Sequence, residues 1–171
     1  MLTKRLNVPF EMCSMHDPAF DDMDDDKLKS YIVTRDMDKL DIDSLDVKPT
    51  IFVCKPLQQE YEHLPENAIS SSQEVSWQIF KTHVTEVKNF LDDNGKTVVK
   101  WKENSDGTRF VDSKCREDIP MGIVQEVALV ISHKAIKGDY LPFMLPQSYT
   151  RDRIRLRMHR AMTVKTEPAN E

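Results

Sequence analysis

The chain holds few residues whose type and spacing could do chemistry. Its five histidines are His16, His63, His83, His133 and His159. No two stand four apart, and no HExxH helix motif occurs, so a histidine-paired zinc site on one helix face is excluded. His63 lies beside Glu60 and Glu62, where it could act as a base or a ligand, but a polar helix surface accounts for the same residues. His83 falls on the apolar side of a helical pattern and reads as a hydrogen-bonded core histidine. His133 and Cys115 could form a nucleophile pair only through tertiary proximity. The three cysteines, Cys13, Cys54 and Cys115, are odd in number and far apart, which argues against a disulfide framework and an all-cysteine zinc site. Each reads as a small buried side chain. Asp36, Asp38, Asp41 and Asp43 have a superficial calcium-ligand spacing. An EF-hand loop needs Gly at its sixth position and Glu at its twelfth; counted from Asp36 those positions hold Asp41 and Val47. Only four glycines occur, Gly95, Gly107, Gly122 and Gly138, too dispersed for any phosphate-cradling Gly-rich loop. The expectation is a non-enzymatic protein without cofactor or metal; a small soluble enzyme or regulator is a distant alternative.

Charge is distributed more tellingly. Between Asp17 and Asp46 stand eleven Asp against four Lys or Arg, including the run Asp24, Asp25, Asp26. Between Arg151 and Lys165 stand five Arg and one Lys against Asp152 alone. The net charge of -5 conceals this separation. Opposite charges at the two ends point to a protein that makes contacts. The arginines Arg151, Arg153, Arg155, Arg157 and Arg160 could hold phosphate, but a sequence pI of about 5.6 and a single nearby aromatic, Tyr149, argue against nucleic acid. A basic arm docking on an acidic protein surface fits better, with the Asp-rich arm of another copy as one candidate. No apolar run reaches the roughly 20 residues of a membrane span. The apolar run Ile123 to Ile131 is interrupted by Gln125 and Glu126.

These residues need elements to position them. The expected architecture is α+β: a small helix-rich core with a short antiparallel hairpin, flanked by extended N- and C-terminal arms. The divisions are an acidic N-terminal arm with a short helix at 1–47, an α+β core at 48–138 and a basic C-terminal arm at 139–171. Pro9 and Pro18 make residues 1–24 an irregular arm. A short helix is expected over Asp24 to Arg35, capped by Asp25 or Asp26, with Leu28, Tyr31 and Ile32 on one face. Leu40, Ile42 and Leu45 are anchors in the turn region that follows. Pro49 to Pro56 reads as a strand, and Leu57 to Leu64 as a short helix. Ser71 and Glu74 suit a capping box for a long helix running to Leu91 and stopped by Asp92-Asp93-Asn94-Gly95. Thr97 to Lys102 and Thr108 to Asp112 form a hairpin about Asn104-Ser-Asp-Gly107. Asp118 caps a last core helix, with Pro120 near its first turn and Gly138 at its end. Tyr140, Phe143 and Leu145 lie in an extended, proline-bounded segment suited to a hydrophobic groove. Residues 151–162 fit a helix, although Arg153 to Met158 alternates like a strand.

The strand Lys48-Pro-Thr-Ile-Phe-Val-Cys-Lys-Pro-Leu57, the segment Val87-Lys-Asn-Phe-Leu-Asp-Asp-Asn-Gly-Lys96 and the start Asp118-Ile-Pro-Met-Gly-Ile-Val-Gln-Glu-Val-Ala128 occur in that order. Over residues 48–136 this order resembles small virion-associated and tail-assembly-chaperone-like proteins of tailed bacteriophages. The resemblance implies a structural protein of the capsid, neck or tail, or alternatively a transient assembly chaperone absent from the mature virion. Its partners would be other virion proteins and copies of itself, and it would join the virion in the host cytoplasm. It carries over no catalytic residue. Asp24, Asp25 and Asp26 on one arm, and Tyr140, Phe143, Leu145 and the five arginines on the other, are the expected interface residues.

Overall fold

The computed structural model describes residues 8–57 and 73–137, and side chains as far as Lys134. The architecture is mixed α+β, with two small antiparallel sheets and three α-helices among the described residues. Strands β1 (Phe10–Met12), β2 (Ile51–Cys54) and β3 (Val84–Lys88) form one sheet in the order β1-β2-β3. Strand β2 is central, with Phe52 paired to Met12 on one side and Val87 on the other. Its alternation sends Phe52 and Cys54 into the core, as expected of a half-buried strand. Helix α1 (Asp25–Thr34) lies in the long connection between β1 and β2. Helix α2 (Gln73–His83) runs directly into β3, and α3 (Met121–Lys137) ends the described chain. The expected hairpin is present as β4 (Trp101–Glu103) and β5 (Arg109–Val111), with Trp101 opposite Val111. Gly107 closes its turn at φ 83°, a conformation that side chains other than glycine's rarely adopt.

The main core fills the space between the three-stranded sheet, α2 and α3. Val124, Val127, Ala128, Val130 and Ile131 of α3 pack against Trp77, Ile79 and Phe80 of α2. Trp77 stacks on Phe80 at 5.8 Å, and Phe80 meets Phe52 edge-on at 5.9 Å. These offset and T-shaped arrangements suit the aromatic quadrupole. Cys54 and Cys115 are buried here as expected, and burial pushes the Cys54 thiol well above its ordinary value. Residues 13–45 build a second, smaller cluster: Cys13, Phe20, Leu28, Tyr31, Ile32 and Leu40.

Asp118 does not cap α3, because that helix starts at Met121 and the Ile123 and Val124 N–H groups donate to the Pro120 carbonyl at 3.0 and 3.2 Å. Two further expectations need correction. The long helix to Leu91 ends at His83, and Val84 to Lys88 form β3. Val84, Val87 and Leu91 match a helical period, but Val84, Thr85 and Val87 are β-branched and meet the open side of β2. Gly95 (φ 73°) accordingly serves a turn after a strand, where Asp92 N–H donates to the Lys96 carbonyl at 2.8 Å. The second correction concerns residues 1–24. Of these, 8–24 do not run as an irregular arm: Phe10 to Met12 is a sheet strand, and Phe20 is buried. The local cue was weak because strand β1 is three residues long and its partner lies some forty residues on. The expected helix Leu57 to Leu64, the capping role of Ser71 and the stop at Gly138 lie outside the described residues.

Candidate functional site

The acidic stretch is folded around carboxylates used as helix caps. Asp17 accepts the Ala19 N–H at 2.9 Å, Asp24 those of Asp26 and Lys27 at 3.0 and 3.1 Å, and Asp36 that of Asp38 at 3.1 Å. Each begins a short helix: 18–20, α1 and 37–39. An Asp there satisfies N–H groups that have no partner within the helix and meets the positive end of its dipole. Asp24 is therefore the cap where Asp25 or Asp26 was expected, while those two occupy the first turn. Leu28, Tyr31 and Ile32 are buried on one face, as expected. Asp17 also accepts the Thr50 N–H at 2.8 Å, fastening this segment to the start of β2.

Eight of the eleven Asp between Asp17 and Asp46 are exposed. Of the four basic residues in the same stretch, Arg35 does not face solvent. It follows α1 in a left-handed conformation (φ 50°), costly for a residue with a Cβ, and its side chain is 5 % exposed. Its Nη1 donates to Glu126 Oε1 at 2.7 Å. The surface therefore presents eight exposed carboxylates against the three ammonium groups of Lys27, Lys29 and Lys39, while Arg35 is paired with Glu126.

Glu126 comes from α3 and gathers the N-terminal residues around it. Ser14 Oγ donates to its Oε2 at 2.6 Å, and Met15 N–H to its Oε1 at 3.0 Å. Beside it, the Tyr31 hydroxyl accepts from Cys13 N–H at 2.7 Å and donates to the Cys13 carbonyl at 2.9 Å. That hydroxyl serves both backbone groups of the residue after β1, as a neighbouring strand would, and so blunts the sheet edge. Burial alone would lower the pKa of the Arg35 guanidinium, but Glu126 and Tyr31 beside it hold it raised. Burial, with Asp17, Glu11 and Glu126 nearby, pushes the Cys13 thiol up to about 12, so it is no nucleophile at neutral pH. The arrangement is a polar joint between the two hydrophobic clusters.

The other residues weighed for chemistry are dispersed. His83 is half-buried at the end of α2, its Nδ1 3.2 Å from the Ile79 carbonyl; burial lowers its pKa. Cys115 Sγ donates to the Asp112 carbonyl at 2.9 Å. Among the described residues no group of three or more His, Cys, Asp or Glu could hold a metal ion, and no helix is long and apolar enough to cross a membrane. His63, Tyr140, Phe143, Leu145, Arg151, Arg153, Arg155, Arg157 and Arg160 lie outside the described residues, so of the expected interface only Asp24, Asp25 and Asp26 are placed. Sequence reasoning missed Ser14, Arg35 and Glu126. The signal was present at Glu126, a carboxylate inside the most apolar stretch of the chain, where burial demands a partner. No family model, curated protein or solved structure matches the chain.

Proposed function

We propose that this protein is a non-enzymatic component of an assembly, docking on neighbouring subunits through charged surfaces at its ends. The observation that carries this reading is the acidic face of residues 17–46, from which Arg35 is withdrawn into the joint. A strongly negative, folded surface attracts and orients a basic partner over several ångströms and excludes acidic ones. The basic segment 151–165 offers charge of the opposite sign within the same chain. The setting proposed for it is a tailed-bacteriophage particle, on the motif order of residues 48–136, with the virion as its place. The partners are other virion proteins and further copies of this chain.

Mass spectrometry of purified particles tests the setting. A fixed copy number supports a structural component, whereas absence from particles that required the protein for assembly identifies a transient chaperone. The docking face is tested separately by Asp38→Lys, Asp41→Lys and Asp43→Lys together. All three side chains are exposed and none caps a helix through a side-chain hydrogen bond. Incorporation is expected to fall while the thermal midpoint stays within a few degrees. Unchanged incorporation would refute the acidic face as the docking surface.

A further inference from the structure

We infer that residues 8–47 exchange between two copies of this chain, each N-terminal unit seating on the body of its partner. The inference goes beyond the docking reading by naming the occupant and the surface it takes. The unit has its own apolar cluster, formed by Cys13, Phe20, Leu28, Tyr31, Ile32 and Leu40, so it stays compact when it leaves the body. Among the described residues it is held to the body by apolar packing, with Met12 buried in the main core, Phe10 against that core and Ile51 against the unit's own cluster, and by a set of strand and polar contacts. Strand β1 pairs with β2, and Glu11 meets Lys88 at 2.8 Å. Asp17 accepts from Thr50 N–H, and Ser14, Met15 and Arg35 converge on Glu126. The Lys134 ammonium sits over the Phe10 ring at 5.4 Å.

Every one of these contacts can be remade between two copies with the same residues. The closed monomer and the exchanged dimer then differ mainly in the hinge and in association entropy. The hinge is Asp46, Val47 and Lys48, all exposed, with no regular secondary structure; Val47 is 64 % exposed. Lys48 precedes Pro49, which disfavours a helical backbone at Lys48 and biases the hinge toward the extended form that exchange requires. The buried Arg35–Glu126 pair supplies selectivity. Like charges facing each other there would be strongly unfavourable, so a foreign segment is rejected.

The test pairs two full-length variants. In Arg35→Glu two carboxylates face each other at the joint; in Glu126→Arg two guanidinium groups do. Neither chain can close on itself without like-charge repulsion. Refolded together, they can exchange units, and both joints in the heterodimer then oppose unlike charges. Native mass spectrometry is expected to show a one-to-one species of twice the 19.9 kDa chain, absent from either variant alone. Finding only the separate chains after co-refolding would overturn the inference, provided that the doubly substituted chain Arg35→Glu/Glu126→Arg folds as a control. Should that control fail to fold, a second variant decides. Deleting Val47 and Lys48 leaves the joint intact but denies the unit its reach within one chain. The expected mass doubles, and a folded monomer would refute exchange. Loss of exchange with retained incorporation into particles would leave the docking reading standing.

Discussion

Replacing Glu126 by Ala is expected to destabilise the protein more than any single surface change. The substitution leaves the Arg35 guanidinium with its side chain 5 % exposed and without its carboxylate. It also strips the acceptor from Ser14 Oγ and Met15 N–H. At a charge separation of about 4 Å and an effective dielectric near 20, the lost attraction is about 4 kcal/mol. Measured losses on breaking buried pairs run at about 3–5 kcal/mol, and an orphaned buried donor costs about 1–3 kcal/mol. These effects overlap, so about 3–5 kcal/mol is the expected total, a large part of the roughly 5–15 kcal/mol that holds a domain together. Glu126→Gln keeps shape and acceptor but removes the charge, and should cost about 1.5–3 kcal/mol. Urea unfolding followed by far-UV circular dichroism gives both numbers. A double change, Arg35→Met with Glu126→Leu, removes the buried charges together and should recover most of the stability. A loss below about 1 kcal/mol for Glu126→Ala would refute the joint as a structural anchor, as would a double variant no better than the sum of its parts.

Tyr31→Phe removes the hydroxyl that serves Cys13 N–H and the Cys13 carbonyl while keeping the buried ring. A cost of about 1–3 kcal/mol is expected, with faster labelling of Cys13 by a thiol reagent than of Cys54 or Cys115, read by peptide mass spectrometry. Alkaline pH should destabilise the fold. Burial raises Cys13 from 9.0 to about 12 and also raises Cys54 and Tyr31. For a raised acid the stability is fully present below the unfolded pKa. It falls as pH climbs from about 9 toward the folded value, by at most about 1.4 kcal/mol per unit for each group. A flat midpoint between pH 8 and pH 11 would contradict the burial of these groups.

The elements legible in the sequence were those with a strong local signature. The alternation of Ile51 to Cys54, the Asn104 to Gly107 turn, and the apolar stripe of α3 each specify their own conformation. The face Leu28, Tyr31, Ile32 did the same for α1. What was hidden depended on partners distant in the chain. Val84 to Lys88 satisfied a helix period equally well, and only β2 alongside decided for a strand. Asp17, Asp24 and Asp36 looked like a charge run until the helices they cap were placed, and the run now has two uses, local capping and surface field. Arg35 gave no sign of leaving the surface, because its partner stands 91 residues away.

That separation has a bearing on how the chain is made. Ser14 waits for a residue 112 positions later, and β1 waits for β2. During synthesis the N-terminal unit can gather its own apolar cluster as soon as residue 47 is free, but α3 is among the last described elements to emerge. Contacts of such long range carry the largest loop-closure cost and form late. On a polysome, where nascent copies crowd one another, a newly made unit would wait for β2 and α3 before Met12 and Ser14 could be seated. Were units to exchange as inferred above, the order and proximity of synthesis would decide which chains pair, before any competition among mature molecules begins.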